Sequence, residues 1–224
     1  MMIFPFDPIQ RSKDIESLVM HGDKRRYYRF RFAKFYGGIG TADATGCNLL
    51  CAYCWNYSRN LNHSKAGELF SPIEVAEKLQ AISEKQRCNQ FRISGAEPIL
   101  GRSSAQHLSE VIRLVGGQFI LETNGIAIGH DPALLDLLKP LNCHIRLTIK
   151  GEDPDSFQKV TGAFREAFTY QLQAVEAIRK ARISMSVAVM AQFVDPGKLP
   201  IPVDEVEDLI VYQSTERILQ NRGF

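Results

Sequence analysis

From residue 36 onward the chain alternates short β-type runs with segments of helical periodicity, and no other feature of the sequence constrains the fold as much. Strands are predicted at residues 36–45, 89–94, 118–123, 143–150 and 183–193. The first helix opens at Ser71-Pro72-Ile73-Glu74, with serine as N-cap, proline in the first turn and glutamate three residues on. Val75, Ala76, Leu79 and Ile82 continue it at helical spacing. Further helices are predicted at about residues 103–115, 132–138, 155–182 with a break near Gly162, and 203–221. Strands that alternate with helices imply right-handed βαβ units and a parallel sheet.

Parallel strands buried on both faces are apolar throughout, and these are not. Arg146, Thr148 and Lys150 alternate with Ile145, Leu147 and Ile149; Arg92 and Ser94 alternate with Phe91 and Ile93. Ser184 and Ser186 share one parity, Met185, Val187 and Val189 the other. Helices of βαβ units cover the outer face, so a polar inner face predicts a curved sheet around a wet, ligand-holding lumen. An amphipathic sheet with one open face is the competing reading.

The chain holds five cysteines in 224 residues, an odd number for a disulfide scaffold. Three of them fall in one loop, Cys47-Asn-Leu-Leu-Cys51-Ala-Tyr-Cys54. Thiolates ligate iron strongly, and three so close together can each take one iron of a cubane, leaving the fourth iron open to a small molecule. Chance supplies such a spacing only about 0.002 times in a chain of this composition. A zinc site is the competing reading; it needs a fourth ligand, for which His63 is the nearest candidate. Cys88 and Cys143 read as buried small apolar residues at strand starts.

The cysteine loop resembles that of the radical S-adenosylmethionine (SAM) superfamily, in which an aromatic residue commonly precedes the third cysteine, as Tyr53 does here. Other segments match in order. Ser94-Gly95-Ala96-Glu97-Pro98 resembles the superfamily's Gly-Gly-Glu-Pro turn, with Ala96 in place of the second glycine. Glu122-Thr123-Asn124-Gly125 resembles an element of glycyl-radical-enzyme activases and of 7-carboxy-7-deazaguanine synthases. Thr148-Ile-Lys150-Gly151 ends the fourth strand. Each segment lies at the C-terminal end of a successive predicted strand, where parallel α/β folds bind ligands.

The resemblance implies an α/β fold, an incomplete parallel (β/α) barrel of five to six strands, open on one side. It implies a [4Fe-4S] cluster on Cys47, Cys51 and Cys54, and SAM held by Gly95, Ala96, Glu97, Glu122, Thr123, Asn124, Thr148 and Lys150, with Tyr53 near the adenine. Reductive cleavage of SAM would give a 5′-deoxyadenosyl radical that takes hydrogen from a substrate. A flavodoxin or ferredoxin would supply the electron, since such clusters work at potentials as low as about −700 mV. The first expectation for the substrate is a partner protein's glycine, because residues 150–163 resemble activase sequence. A small-molecule enzyme of deazaguanine-synthase type is the alternative within the class; outside it stands a non-catalytic iron–sulfur or zinc module for electron transfer or nucleic-acid binding.

Residues 1–35 are expected as an N-terminal extension, 36–195 as the core domain and 196–224 as a C-terminal helix packed on the core. The extension carries KRRYYRFRFAKFY at residues 24–36, six basic residues interleaved with six aromatics. It reads as a strand or edge that packs its aromatics on the barrel, with its basic side chains toward solvent or a cluster-proximal anion; a nucleic-acid surface is the alternative. Trp55 reads as cover for the cluster. A net charge of +2 is too small to imply a polyanionic partner. The opening MMIFPFDPIQ lacks the apolar core of a signal peptide, and residues 183–194, the longest apolar stretch, are too short to span a bilayer. A cytoplasmic protein without membrane partners is expected.

Overall fold

The structure is a computed structural model that describes residues 4–224; residues 1–3 of the opening segment lie outside the described residues. Helix α1 (Pro8–Val19) starts at Asp7, whose side chain accepts hydrogen bonds from the Ile9 and Gln10 amides. It leads into β1 (Met20–His21) and the long strand β2 (Lys24–Ala33). There follow β3 (Ile39–Ala44), α2 (Tyr57–Leu61), β4 (Glu68–Phe70), α3 (Pro72–Gln86), β5 (Gln90–Ser94) and α4 (Arg102–Val115). The second half holds β6 (Gln118–Thr123), α5 (Ile126–His130), β7 (Cys143–Ile149), α6 (Pro154–Thr161) and α7 (Phe168–Lys180). It closes with β8 (Met185–Met190), β9 (Glu205–Glu207) and α8 (Gln213–Asn221).

The described residues form one nine-stranded sheet in the order β1-β2-β3-β5-β6-β7-β8-β9, with β4 paired to β2. β3, β5, β6, β7, β8 and β9 run parallel to one another, and β1, β2 and β4 pair antiparallel at one edge. The result is a mostly parallel α/β sheet that does not close, an incomplete (β/α) barrel. The alternation in the sequence is realised. Phe91, Ile93, Phe119, Leu121, Ile145, Leu147, Val187 and Val189 are fully buried in one core with residues of α3, α4, α5 and α7. Arg92, Ser94, Glu122, Arg146, Thr148 and Lys150 face the other way and line a cavity.

The Ser71/Glu74 capping box starts α3 as the sequence predicts. The long helical region breaks at Gly162, which caps α6 in the left-handed conformation at φ 76°.

Several boundaries differ. The strand predicted at residues 36–45 begins only at Ile39, because Phe35–Gly37 forms a 3-10 turn with Tyr36 at φ 56°. The segment predicted as helix from residue 203 instead places Glu205–Glu207 in β9, the sixth parallel strand. The free edge of β8 decides this: the Asp204 amide donates to Val187 O (2.9 Å) and the Ala191 amide to Glu207 O (2.9 Å). The helix starts only at Gln213. Residues 24–33, expected as part of an extension, are a strand of the same sheet. Tyr27 is buried in the core as expected of the aromatics, but Arg25 is fully buried too rather than facing solvent. Cys143 is buried, whereas Cys88 is only half-buried. Among the described residues no helix is long and apolar enough to cross a membrane.

Candidate functional site

The C-terminal ends of the parallel strands open into a cavity of about 740 Å³. All twelve residues singled out in the sequence line it: the three cysteines, Tyr53, Gly95, Ala96, Glu97, Glu122, Thr123, Asn124, Thr148 and Lys150. Residues from four different strand ends meet there because βαβ connections return each strand to the same edge of the sheet.

The cysteine loop follows β3 and is fixed from behind by main-chain bonds. Leu50 N and Ala52 N donate to Thr161 O (3.1 Å) and Val160 O (2.8 Å) at the end of α6, and Arg222 Nη2 donates to Leu50 O (2.9 Å). Side-chain amides hold its cavity side. Asn60 Nδ2 lies 3.8 Å from Cys54 Sγ and 3.0 Å from Gly95 O, while its Oδ1 accepts from Gly46 N at 3.2 Å. Asn124 Nδ2 lies 3.9 Å from Cys47 Sγ and donates to Asn48 Oδ1 at 2.7 Å. Burial pushes all three thiols up, Cys54 to about 11, so they carry protons at neutral pH until a metal displaces them.

Three cysteine thiols from one loop at the cavity wall suit a cluster, in which each thiolate takes its own iron. His63, the fourth ligand that zinc would need, is not in the cavity wall, and its ring Nδ1 lies 3.4 Å from Asn60 O. Tyr53 is also suited to a bound group. Its ring stacks on Phe193 (4.8 Å between centroids), and its hydroxyl is buried beside the Lys150 ammonium. Burial pushes that hydroxyl up to about 12. Lys150 Nζ stands 5.5 Å from the Tyr53 ring centroid. Burial alone would lower its pKa, but the neighbouring Tyr53 and Cys51 outweigh burial and raise it.

Glu97 ties two loops together. One carboxylate oxygen accepts from Thr123 Oγ1 (2.7 Å) and Ile99 N (3.1 Å), the other from Asn124 N (2.9 Å). Burial raises its pKa, and these three donors oppose the rise. From behind, Arg25 donates to Glu97 O (2.6 Å) and Pro98 O (2.5 Å). Gly95 sits at φ 79°, and a Cβ there would stand 3.0 Å from Tyr28 Oη and 3.1 Å from Asn56 Nδ2, so the turn requires glycine. Ala96 does not have a positive φ, which is why a methyl group is accepted where the family pattern has glycine.

Like Glu97 and Asn124, the singled-out side chains of Glu122 and Thr123 spend hydrogen bonds on the protein. Glu122 Oε1 accepts from Arg92 Nη1 (2.6 Å) and Tyr36 Oη (2.7 Å), and Thr123 Oγ1 is taken by Glu97. Gln171 on α7, fully buried, holds the other two loops: its amide donates to Asn124 O (2.6 Å) and Thr148 O (3.0 Å) and accepts from Lys150 N (3.0 Å). Gln171, Asn48, Asn60 and Arg25 were not singled out as site residues. A single Asn, Gln or Arg carries no spacing signal, and Arg25 is hidden within a basic and aromatic run.

Three clustered thiols and a polar cavity at the carboxyl edge of a parallel sheet define a cofactor-binding partial barrel. A family model described as "Radical SAM superfamily" matches residues 43–193. A probable GTP 3′,8-cyclase of Thermoplasma volcanium is 26% identical over 167 residues, which cover 74% of this chain and 47% of that protein. The chain thus spans about half the length of this curated relative. Among solved structures, a spore photoproduct lyase variant with bound AdoMet and dinucleoside spore photoproduct superposes with a TM-score of 0.54 at 14% identity, over 87% of this chain and 63% of that one. Native anSMEcpe with bound AdoMet gives 0.51 at 19% identity, over 66% and 41%. The chain belongs to the radical SAM superfamily. That membership implies SAM and an iron–sulfur cluster as cofactors.

Proposed function

We propose that this chain binds a [4Fe-4S] cluster through Cys47, Cys51 and Cys54 and cleaves SAM reductively to start hydrogen abstraction from a small molecule held in the same cavity. The observation that carries the reading is the convergence of the three thiols and the nine other singled-out residues on one cavity at the sheet's carboxyl edge. When bound, reduced cluster and SAM supply a 5′-deoxyadenosyl radical, with the electron coming from a flavodoxin or ferredoxin. The chain's own residues bind, orient and exclude water. Asn60 and Asn124 direct N–H groups at two of the sulfurs. Gly95, Ala96 and Glu97 form a turn, fixed by Arg25, that lies beside the cysteine loop and suits the SAM amino group. Lys150 and Thr148 present a cation and a hydroxyl toward the SAM carboxylate or ribose. Tyr53, with Phe193 behind it, offers an aromatic surface for adenine.

The cluster and SAM would fill part of the cavity of about 740 Å³, and the space left between the β2 and β9 walls favours a small substrate. The activase-type reading rests on the resemblance of residues 150–163. Within that segment Asp153 caps α6, Phe157 and Val160 are buried in the core and Gly162 ends the helix at φ 76°, so its sequence has structural reasons independent of a protein substrate.

The test is anaerobic reconstitution with iron and sulfide, then dithionite reduction and electron paramagnetic resonance with and without SAM. A reduced four-iron signal that changes on adding SAM, followed by 5′-deoxyadenosine formation, is expected. Cys51→Ala should abolish both. A cluster indifferent to SAM, or a protein that loads zinc instead, refutes the reading.

A further inference from the structure

Away from the cysteines the cavity carries an unbalanced pair of cations. Arg29 and Arg31 stand two residues apart on β2 and line the cavity together, as the pleat of a strand requires of alternate residues. One carboxylate holds both. Arg29 Nε lies 2.6 Å from Asp43 Oδ2, and Arg31 reaches the same oxygen through Nε (2.7 Å) and Oδ1 through Nη2 (3.2 Å). Asp43 is fully buried beneath them, whereas the Arg29 side chain is 47% exposed and that of Arg31 27%. Two cations on one anion leave a net positive charge. Arg29 uses only its Nε in this contact, so both of its terminal NH2 groups are left to meet a ligand. Tyr28 and Trp55 flank its guanidinium at 5.7 Å and 6.0 Å.

The opposite wall has the reverse balance. Arg146 is shared by Glu205 (2.7 Å) and Glu207 (2.9 Å), which leaves a net negative charge at the β9 lip. Between the two walls the pair of Arg92 and Glu122 is neutral. The cavity is therefore electrically polarised across its mouth, positive at β2 and negative at β9. An anionic group entering it is drawn to one wall and repelled by the other, which fixes the orientation as well as the site.

We propose that Arg29 and Arg31 form the oxyanion subsite of the substrate chamber, so that the substrate is a small molecule bearing a phosphate or carboxylate group. A guanidinium matches either oxyanion through paired N–H donors, and the Tyr28 and Trp55 rings beside Arg29 limit where its guanidinium can point. This inference rests on the reading of the cavity as the chamber of a radical SAM enzyme. The acidic β9 lip leaves the opposite end of the substrate uncharged or cationic.

The experiment is calorimetric titration of the full, cluster-loaded chain under anaerobic conditions with two probes, inorganic phosphate and succinate, each with and without saturating SAM. At least one probe should bind, more weakly as salt rises, and binding should persist when SAM is present. The tighter probe identifies the oxyanion. Arg29→Gln and Arg31→Gln should each weaken it by ~10-fold or more, the loss of a charge-assisted contact. Arg113→Gln, which removes an exposed partner of Glu110 on α4, should not. Should a glutamine variant fail to fold, Arg29→Lys keeps the charge and should still bind more weakly than the parent, because the planar fork is lost. Failure of both probes to bind, variants that bind like the parent, or displacement by SAM each overturns the subsite. The paramagnetic resonance signal of the same sample judges the cluster reading separately.

Discussion

The two ends of the cavity are built on different principles. At the cysteine end, polar groups are buried and joined to one another. Glu97 takes three donors, Arg25 two carbonyls, Asn60 a main-chain amide, a carbonyl and a sulfur contact, and Gln171 two loops at once. At the β2 and β9 walls one buried group, Asp43 or Arg146, is paired by charge with two more exposed partners, Arg29 and Arg31 or Glu205 and Glu207, the two glutamates being 39% and 45% exposed. Buried networks carry a high cost when one member is lost, whereas exposed ion pairs contribute little. One end is therefore preorganised to hold a fixed cofactor geometry, and at the other the exposed partners, such as Glu207, can be altered with little effect on the fold.

The sharpest way to break this contrast is Arg25→Met. It strips the carbonyls of Glu97 and Pro98 of their buried donor, and a loss of about 3 kcal/mol in unfolding free energy is expected, together with weaker SAM binding. Chemical denaturation that finds the variant as stable as the parent would show that the turn is held by something else.

Acid provides a second probe. His107 is buried between Tyr27 Oη (2.9 Å from Nε2) and Asp23 O (2.6 Å from Nδ1), partners that suit a neutral ring with its proton on Nδ1. Burial lowers its pKa from 6.5 to about 4. The unfolded chain then binds the proton first, so stability is complete above 6.5 and falls as pH drops from there toward 4. A loss of up to about 3 kcal/mol follows from the size of that shift. Denaturation series at pH 7 and pH 4.5 should differ by most of this amount in the parent and by less in His107→Gln.

At the other end the expected effect is smallest. Glu207→Gln removes one exposed partner of Arg146 and should change stability by less than about 1 kcal/mol. A larger loss would mean that the β9 lip is as firmly built as the cysteine end.

How much was legible in the sequence follows the same division. The cysteine loop, residues 94–98, residues 122–125 and the end of β7 were found because each combines a distinctive local pattern with a position after a strand. Arg92 and Arg146 were legible as inward-facing through strand parity. The lip was not. Glu205 and Glu207 sit in a segment whose apolar spacing also suits a helix, and its extended form depends on main-chain bonds to β8. Arg29 and Arg31 read as part of a basic and aromatic run. Nothing local in that run says that Asp43, 12 residues beyond Arg31, lies beneath both.

By itself, then, the sequence determined the alternation of strands and helices, the inward polar parity and the thiol spacing, because periodicity and ligand spacing act over a few residues. The tertiary structure decided which buried groups hold the loops, where β9 pairs, and how charge divides between the cavity walls. Those outcomes depend on contacts between segments far apart in the chain, such as Arg25 with Glu97 and Arg146 with Glu205, and residue order alone carries no local signal for them.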